Sequence, residues 1–377
     1  MKKILIIGAG PIGIEAALYA LKSGFDVELV EKGDIGNNIK KWGHVTLFSP
    51  FFMNSSKTGL ELLKNHNLTL PDENSYQTGL EYLETYLLPL VRYGLPDKVS
   101  VHTEVLGISK KNILKRDFIG KPERGNAPFI VSIRRNGKES IIEADIIIDT
   151  SGTYDNPVNL GIGGLKIPGE EYLKDKINYH LPDINGLDKS IYSGKTTLLI
   201  GSGYSAATTL SYFSQLFVKN PQTKLIWLTR KEKHPPYLPI ENDPLPLRAG
   251  LINTVNKLIT EATEQLEYYP SISVVELEPV NNSKIKVKAL QNNQEKEFLV
   301  DEIIANVGYK LDNKIYQELQ VHECYASQGP MKLAASLLGS SSQDCLAQKS
   351  SGPETLKTPE PNFFILGSKS YGRNSAF

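Results

Sequence analysis

Ile4-Leu5-Ile6-Ile7-Gly8-Ala9-Gly10-Pro11-Ile12-Gly13 decides the fold of this chain. The four leading apolar residues read as a buried parallel strand and the glycines as a tight turn. Pro11 suits the first turn of a helix that Gly24 stops. Glycine permits such a turn, lets the main chain approach a pyrophosphate, and aims free helix N-terminal amides at that anion. A second strand, Phe25 to Val30, runs into Glu31, an acid placed to accept both hydroxyls of an adenosine ribose. Gly8, Gly10, Pro11, Gly13 and Glu31 are therefore expected to bind one dinucleotide.

The layout recurs further along. Thr196 to Ile200 reads as a strand, Gly201-Ser202-Gly203-Tyr204-Ser205-Ala206 as the turn, Tyr204 to Phe217 as the helix and Lys224 to Thr229 as the next strand. Ala206 replaces the third glycine and still lets the helix pack closely on the strand. The second strand ends in Arg230-Lys231 instead of an acid. Cations suit a 2′-phosphate, which favours NADPH over NADH, while the competing reading keeps both as solvated loop charges. A chain with two dinucleotide pockets points to electron transfer.

Working outward, Tyr76 to Tyr93 has helical spacing, Val99 to Ile108 has strand character, and Phe129 to Arg135, Asn136-Gly137 and Glu139 to Ile148 form a hairpin signal. Asp145 to Asp149 reads as a buried strand running into the turn-rich Thr150 to Pro157. Ser271 to Leu277, Lys284 to Leu290 and Glu297 to Leu299 read as a second set of hairpin strands, with Asn281-Asn282 and Asn292-Asn293 at the turns. Asp301 to Val307 is expected to be the return strand into the first domain. The resulting class is α/β: a Rossmann-like domain at 1–157 and 301–377 with a second Rossmann-like domain inserted at 158–300, each carrying a small antiparallel β-meander. His234 to Arg248, rich in proline, is expected to be a stiff loop, either a lid or a plain surface connection. The basic stretch Lys110 to Arg124 reads as a solvated loop. Pro330 to Gly339 reads as a short helix, followed by a polar, flexible stretch from Ser340 to Gly352.

Composition narrows the function classes. Lys plus Arg and Asp plus Glu stand at 42 each, so no bulk field draws the chain to nucleic acid or anionic lipid. No apolar run reaches the length of a membrane span, and glycine and proline interrupt the apolar start too early for a signal peptide; a cytoplasmic protein is expected. The two cysteines, Cys324 and Cys345, form no Cys-x-x-Cys pair, which excludes a disulfide scaffold and a paired-cysteine redox centre. The six histidines and two cysteines show no metal-ligand spacing, so no metal is expected.

Four segments carry a family resemblance: Gly8-Ala9-Gly10-Pro11-Ile12-Gly13, Phe52-Met53-Asn54-Ser55-Ser56-Lys57, Ser151-Gly152-Thr153-Tyr154 and Gly201-Ser202-Gly203-Tyr204-Ser205-Ala206. On these the chain resembles the flavin-containing monooxygenases and their bacterial relatives over nearly its whole length. The resemblance implies FAD in the first domain and NADPH in the inserted one. It places Asn54 beside the flavin where oxygen reacts, against the alternative that Asn54 is a helix cap or turn residue. It also sets Val105 against the adenine through its backbone, Gly152 at the domain crossing and Gly367 close to the flavin diphosphate or ribityl chain. Ser205 and Arg230 would face the NADPH adenosine phosphates. His44 would line the flavin pocket or serve structure alone.

Two departures stand beside these matches. Tyr179-His180 and Tyr192 only partly echo the signature expected between the two turns, and Ser368 follows Gly367 where two-nucleotide flavoproteins carry aspartate at a helix start. Disulfide reductases of this architecture need a thiol at the flavin, and positions 12 and 14 of the first turn are isoleucine. The implied activity is an NADPH-dependent monooxygenase that uses molecular oxygen and delivers one atom to a small nucleophilic metabolite through a flavin peroxide adduct. The alternatives are a flavoprotein reductase serving a quinone, a small disulfide or a protein partner, and a non-catalytic dinucleotide sensor.

Overall fold

A computed structural model of the chain describes residues 1–261, 263–280, 284–339 and 352–373. The chain divides into two compact units: Met1–Gly43, Pro50–Asn156 and Tyr309–Phe377 form the first, His44–Ser49 and Pro157–Gly308 the second.

In the first unit, β1 (Lys3–Ile7) pairs in parallel with β2 (Asp26–Val30) on one side and β7 (Ile146–Asp149) on the other. β3 (Val99–Ser100) and β16 (Phe363–Ile365) complete a five-stranded sheet in the order β16-β7-β1-β2-β3. Leu5 and Ile6 are wholly buried, as a parallel strand covered on both faces requires. The helix Pro11–Lys22 returns the chain from β1 to β2 and buries Ile14, Ala17 and Leu18. A separate antiparallel meander, β4 (Thr103–Lys110), β5 (Phe129–Arg135) and β6 (Lys138–Ala144), turns at Asn136-Gly137, where both residues adopt positive φ, the requirement of a two-residue primed turn.

The second unit repeats this plan. Its parallel sheet runs β11 (Leu266–Tyr269), β10 (Lys224–Leu228), β9 (Thr196–Ile200), β15 (Glu302–Ala305), β8 (Ile177–Asn178), and its meander is β12 (Ile272–Pro279), β13 (Ile285–Gln291) and β14 (Gln294–Val300). Leu198, Val287, Val300 and Ile303 share one core cluster, while Phe213 and Leu216 of the helix Tyr204–Lys219 pack in another with Trp227 of β10.

Several expectations are corrected. The stretch Val99 to Ile108 is not one strand: His102 takes a positive φ, and the chain leaves the parallel sheet after Ser100 to begin the meander at Thr103. Residues 301–307 do not return the chain to the first sheet. β15 pairs in parallel with β9 and β8 inside the second unit, and the first sheet is closed instead by β16. The proline-rich loop ends earlier than expected, because Pro246 opens the helix Pro246–Thr260 at a position that needs no N–H. The stretch Lys110 to Arg124 is not simply solvated: Lys110 and Arg124 are 3% and 1% exposed, and Arg124 pairs with the buried Glu360 at 2.8 Å. The expected helix near residue 330 spans Met331–Leu338. The Asn281-Asn282 turn and nearly all of the Ser340 to Gly352 stretch lie outside the described residues.

Candidate functional site

The first glycine turn is built for a close backbone approach. Gly8 has φ +101°, and a Cβ there would stand 2.8 Å from the Thr150 carbonyl oxygen. At Gly13 a Cβ would collide with the Gly8 carbonyl oxygen, so the third glycine is demanded by helix packing on β1. Gly10 differs: it has extended backbone and nothing within 4 Å of the place a Cβ would occupy. The helix it opens has Pro11 at its start, no side-chain cap and no acid in its first turn, so its leading amides are left for an anion. The Gly8 N–H donates to the Val30 carbonyl at 2.8 Å, which brings the end of β2 alongside the turn.

Glu31 follows immediately. Its Oε2 accepts from the Ala9 N–H and its Oε1 from the Gly33 N–H, both at 2.8 Å, so two backbone amides orient the carboxylate. Each oxygen retains a lone pair for a ribose hydroxyl. Gly8, Glu31, Val105 and Gly152 line one cavity of about 240 Å³ within the first unit. Four residues from separate stretches of sequence thus meet at the carboxyl ends of the strands, beside the point where the sheet order reverses around β1. Val105 sits at an irregularity of β4 where the register shifts before Gly107. The apolar turn, the open helix end and the anchored acid fit the adenosine and pyrophosphate of a dinucleotide.

Ser151, Asp155 and Lys369 also line this cavity, and local sequence patterns did not single them out. Asp149 and Lys369 are fully buried, with Lys369 Nζ 2.7 Å from Asp149 Oδ2 and 3.1 Å from Ser151 Oγ. Asp149 Oδ1 accepts from the Ser151 N–H at 3.0 Å and the Ser151 hydroxyl at 2.6 Å, which shapes the turn leading to Gly152. Asp155 receives Lys32 at 2.7 Å and Lys41 at 2.6 Å. Burial alone would raise the Asp155 carboxyl, but hydrogen bonds from the two ammonium groups prevail and hold it down at about 2. Gly367 has φ +73° and packs on Ile12 of the first turn, where a Cβ would come within 3.2 Å of Ile12 Cγ1. Gly367–Tyr371, which follows β16, is a short stretch of 3₁₀ helix.

The second turn has the same division of labour. Gly201 has φ +137°, and a Cβ there would collide with the Asn306 carbonyl oxygen; Gly203 has open space; Ala206 is fully buried against the sheet. The helix Tyr204–Lys219 also opens without a side-chain cap or an acid. Two aromatic residues fix the turn's carbonyls: the Trp227 indole N–H donates to Gly201 O at 2.8 Å and the Tyr237 hydroxyl to Gly203 O at 3.1 Å. Trp227 stacks on both Tyr237 and Tyr268. Arg230 is exposed just beyond β10, and the Gly201 N–H donates to Leu228 O at 3.1 Å, so the cation and the turn follow the carboxyl ends of adjacent parallel strands. Ser205 is half-buried in the first turn of that helix. Arg248, in the first turn of Pro246–Thr260, is buried against Asp243 at 2.7 Å with its guanidinium 5.9 Å from the Tyr204 ring.

Asn54 ends a short helical turn, Phe51–Asn54. Its side-chain amide donates to Pro50 O at 3.1 Å, its carbonyl accepts the Tyr82 hydroxyl at 2.7 Å, and it is not part of the cavity wall. His44 does not line that cavity either; its ring packs 5.9 Å from Tyr212 within the second unit. The Tyr179 hydroxyl donates to the buried Glu170 at 2.6 Å, and Tyr192 belongs to a core cluster. Cys324 is a buried free thiol, and Cys345 lies outside the described residues. Among the described residues no cluster of potential metal ligands occurs, and no helix is long and apolar enough to cross a membrane.

Comparison with known proteins agrees with this architecture. The chain is similar in fold to the bacillithiol disulfide reductase of Bacillus cereus, with 18% identity, 99% of this chain and 92% of that chain covered, and a TM-score of 0.72. It is also similar in fold to the ornithine N-hydroxylase of Kutzneria sp. 744, with 13% identity, 100% and 95% covered, and a TM-score of 0.65. An uncharacterised protein of Methanocaldococcus jannaschii is 25% identical over 172 residues, a match spanning 45% of this chain and 41% of that protein's length. A family model described as pyridine nucleotide-disulphide oxidoreductase matches residues 5–331. With two Rossmann-like sheets, two uncapped glycine turns and that match, the chain belongs to the pyridine nucleotide-disulphide oxidoreductase family and is an oxidoreductase.

Proposed function

We propose that the first unit binds FAD, the second binds NADPH, and the enzyme moves two electrons from the second to the first and on to molecular oxygen, one atom of which enters a small nucleophilic metabolite while the other leaves as water. The observation that carries the flavin assignment is the cavity that gathers Gly8, Glu31, Val105 and Gly152 beside an uncapped helix start. Bound FAD would supply reversible two-electron chemistry. This chain's own residues would bind and orient: Glu31 takes the ribose, the amides after Gly10 take the pyrophosphate, and Arg230 takes the 2′-phosphate of NADPH. The choice of oxygen as acceptor is supported by the lack of cysteine in the first 323 residues, which leaves no thiol at the first glycine turn to relay electrons.

A second reading, a reductase of a small disulfide or a quinone, is favoured by the family's description and by the likeness to the bacillithiol disulfide reductase. One experiment separates them. The purified enzyme with NADPH is supplied with oxygen and candidate amines or thioethers, or anaerobically with a small disulfide or a quinone. Incorporation of labelled oxygen into product supports the first reading. Stoichiometric NADPH oxidation by the disulfide or quinone without oxygen supports the second, and a protein that takes up neither FAD nor NADPH overturns both.

A further inference from the structure

Within the first unit, the ion pair Lys369–Asp149 is buried to an unusual degree, with side chains 2% and 0% exposed. Such a pair rarely stabilises a fold more than apolar residues of the same size would, because desolvating both ions offsets their attraction. A lysine carries three N–H donors; here Asp149 and Ser151 engage two by hydrogen bonds, and the Tyr316 ring lies 5.0 Å from the ammonium. Lys369 also forms part of the wall of the cavity that holds Gly8, Glu31 and Gly152.

The charge on that wall is otherwise unfavourable to a phosphate. Glu31, Glu104, Asp155 and Asp312 face Lys32 and Lys369, and Lys32 is already held by Asp155 at 2.7 Å. The turn that carries Lys369, Gly367–Tyr371, is five residues of 3₁₀ helix, too short to offer the positive end of a helix macrodipole. A dinucleotide entering this cavity brings two negative charges, and Lys369 is the buried cation placed to meet them.

We infer that Lys369 is a phosphate-binding residue of the dinucleotide site, giving its third N–H and its charge to the pyrophosphate while Asp149 and Ser151 hold the ammonium in place. This rests on the reading of the first unit as the FAD site. Asp149 has a double part: one oxygen orients Lys369 and the other fixes the Ser151 turn, so cation and backbone are set before the nucleotide arrives.

The test must distinguish phosphate binding from simple neutralisation of Asp149. Lys369→Met alone strands a buried carboxylate, so the decisive variant is Lys369→Met with Asp149→Asn, which removes both charges and keeps an acceptor for Ser151. Equilibrium affinities for FAD, ADP-ribose and adenosine are measured on the apo forms of parent and double variant, together with the thermal midpoint without ligand. Loss of one charge-assisted phosphate contact should weaken FAD and ADP-ribose by about tenfold or more, while adenosine, which has no phosphate, changes by less than about twofold. Double-variant affinity for FAD equal to that of the parent would show that Lys369 serves only Asp149, and an equal loss for adenosine would show a structural lesion. Either result overturns the inference alone. A parent that binds neither FAD nor ADP-ribose overturns the flavin assignment and the inference with it.

Discussion

Gly10→Ala should leave the protein at least as stable as before while removing most of its affinity for FAD. Gly10 has φ −86° and ψ −175°, a conformation any residue adopts, and its Cβ would meet nothing within 4 Å. Replacing such a glycine by alanine restricts the unfolded chain and adds about 0.4–1 kcal/mol of stability. On the proposed reading, however, the methyl group would stand where a pyrophosphate approaches the turn. A phosphate displaced by about 1 Å stretches its bonds to the helix amides beyond about 3.5 Å, where little of a hydrogen bond survives. Losing one or two charge-assisted bonds at roughly 1.5–3 kcal/mol each lowers FAD affinity by about tenfold to ten-thousandfold.

Gly13→Ala gives the opposite pattern, because its Cβ would run into the Gly8 carbonyl oxygen and the fold itself would suffer. The assay pairs flavin fluorescence quenching, for affinity, with the thermal midpoint of the apo protein. In the second unit Gly203→Ala should behave like Gly10→Ala but weaken NADPH and spare FAD. Undiminished FAD binding by Gly10→Ala, or a midpoint lowered by several degrees, would refute the claim that this glycine is kept for the ligand and not for the fold.

Three further outcomes are expected. Arg230→Ala, at an exposed position beside the second turn, should weaken NADPH by about tenfold and NADH by much less, and equal losses in a titration of both would show that the cation does not read the 2′-phosphate. Asn54→Ala should leave reduction by NADPH and FAD affinity intact while about tenfold less of the NADPH consumed appears as oxygenated product; unchanged coupling removes Asn54 from the chemistry. Burial brings the Lys110 ammonium down to about 8, so between pH 8 and the unfolded-chain value of about 10.4 the unfolded state binds more protons and stability rises with pH. Stability in urea unfolding should rise between pH 7.5 and 9.5, and Lys110→Met should flatten that rise.

Both βαβ units were legible because their signals are local. Strand, turn, helix and second strand fall within about 30 residues, so apolar runs, glycines and the terminal Glu31 or Arg230 announce them without knowledge of anything distant. The meander turns at Asn136-Gly137 and Asn292-Asn293 were equally readable, since positive φ at neighbouring positions selects those residue types. Helix Pro246–Thr260 was missed because proline looks like a breaker until its place at the helix start is known.

Tertiary structure decided the rest. Whether residues 302–305 close the first sheet or the second depends on partners at Thr197–Ile200, and no local pattern distinguishes the two. The split of residues 99–110 between two sheets is of the same kind. Lys369 and Asp149 are 220 residues apart and Arg124 and Glu360 are 236 apart, yet both pairs are buried contacts. Local geometry follows from backbone preferences written into neighbouring residues, so two glycine turns, each opening a helix, could be read from the chain alone. Which charges line the cavity beside one of them depends on how remote segments pack, and only the folded structure brings those together.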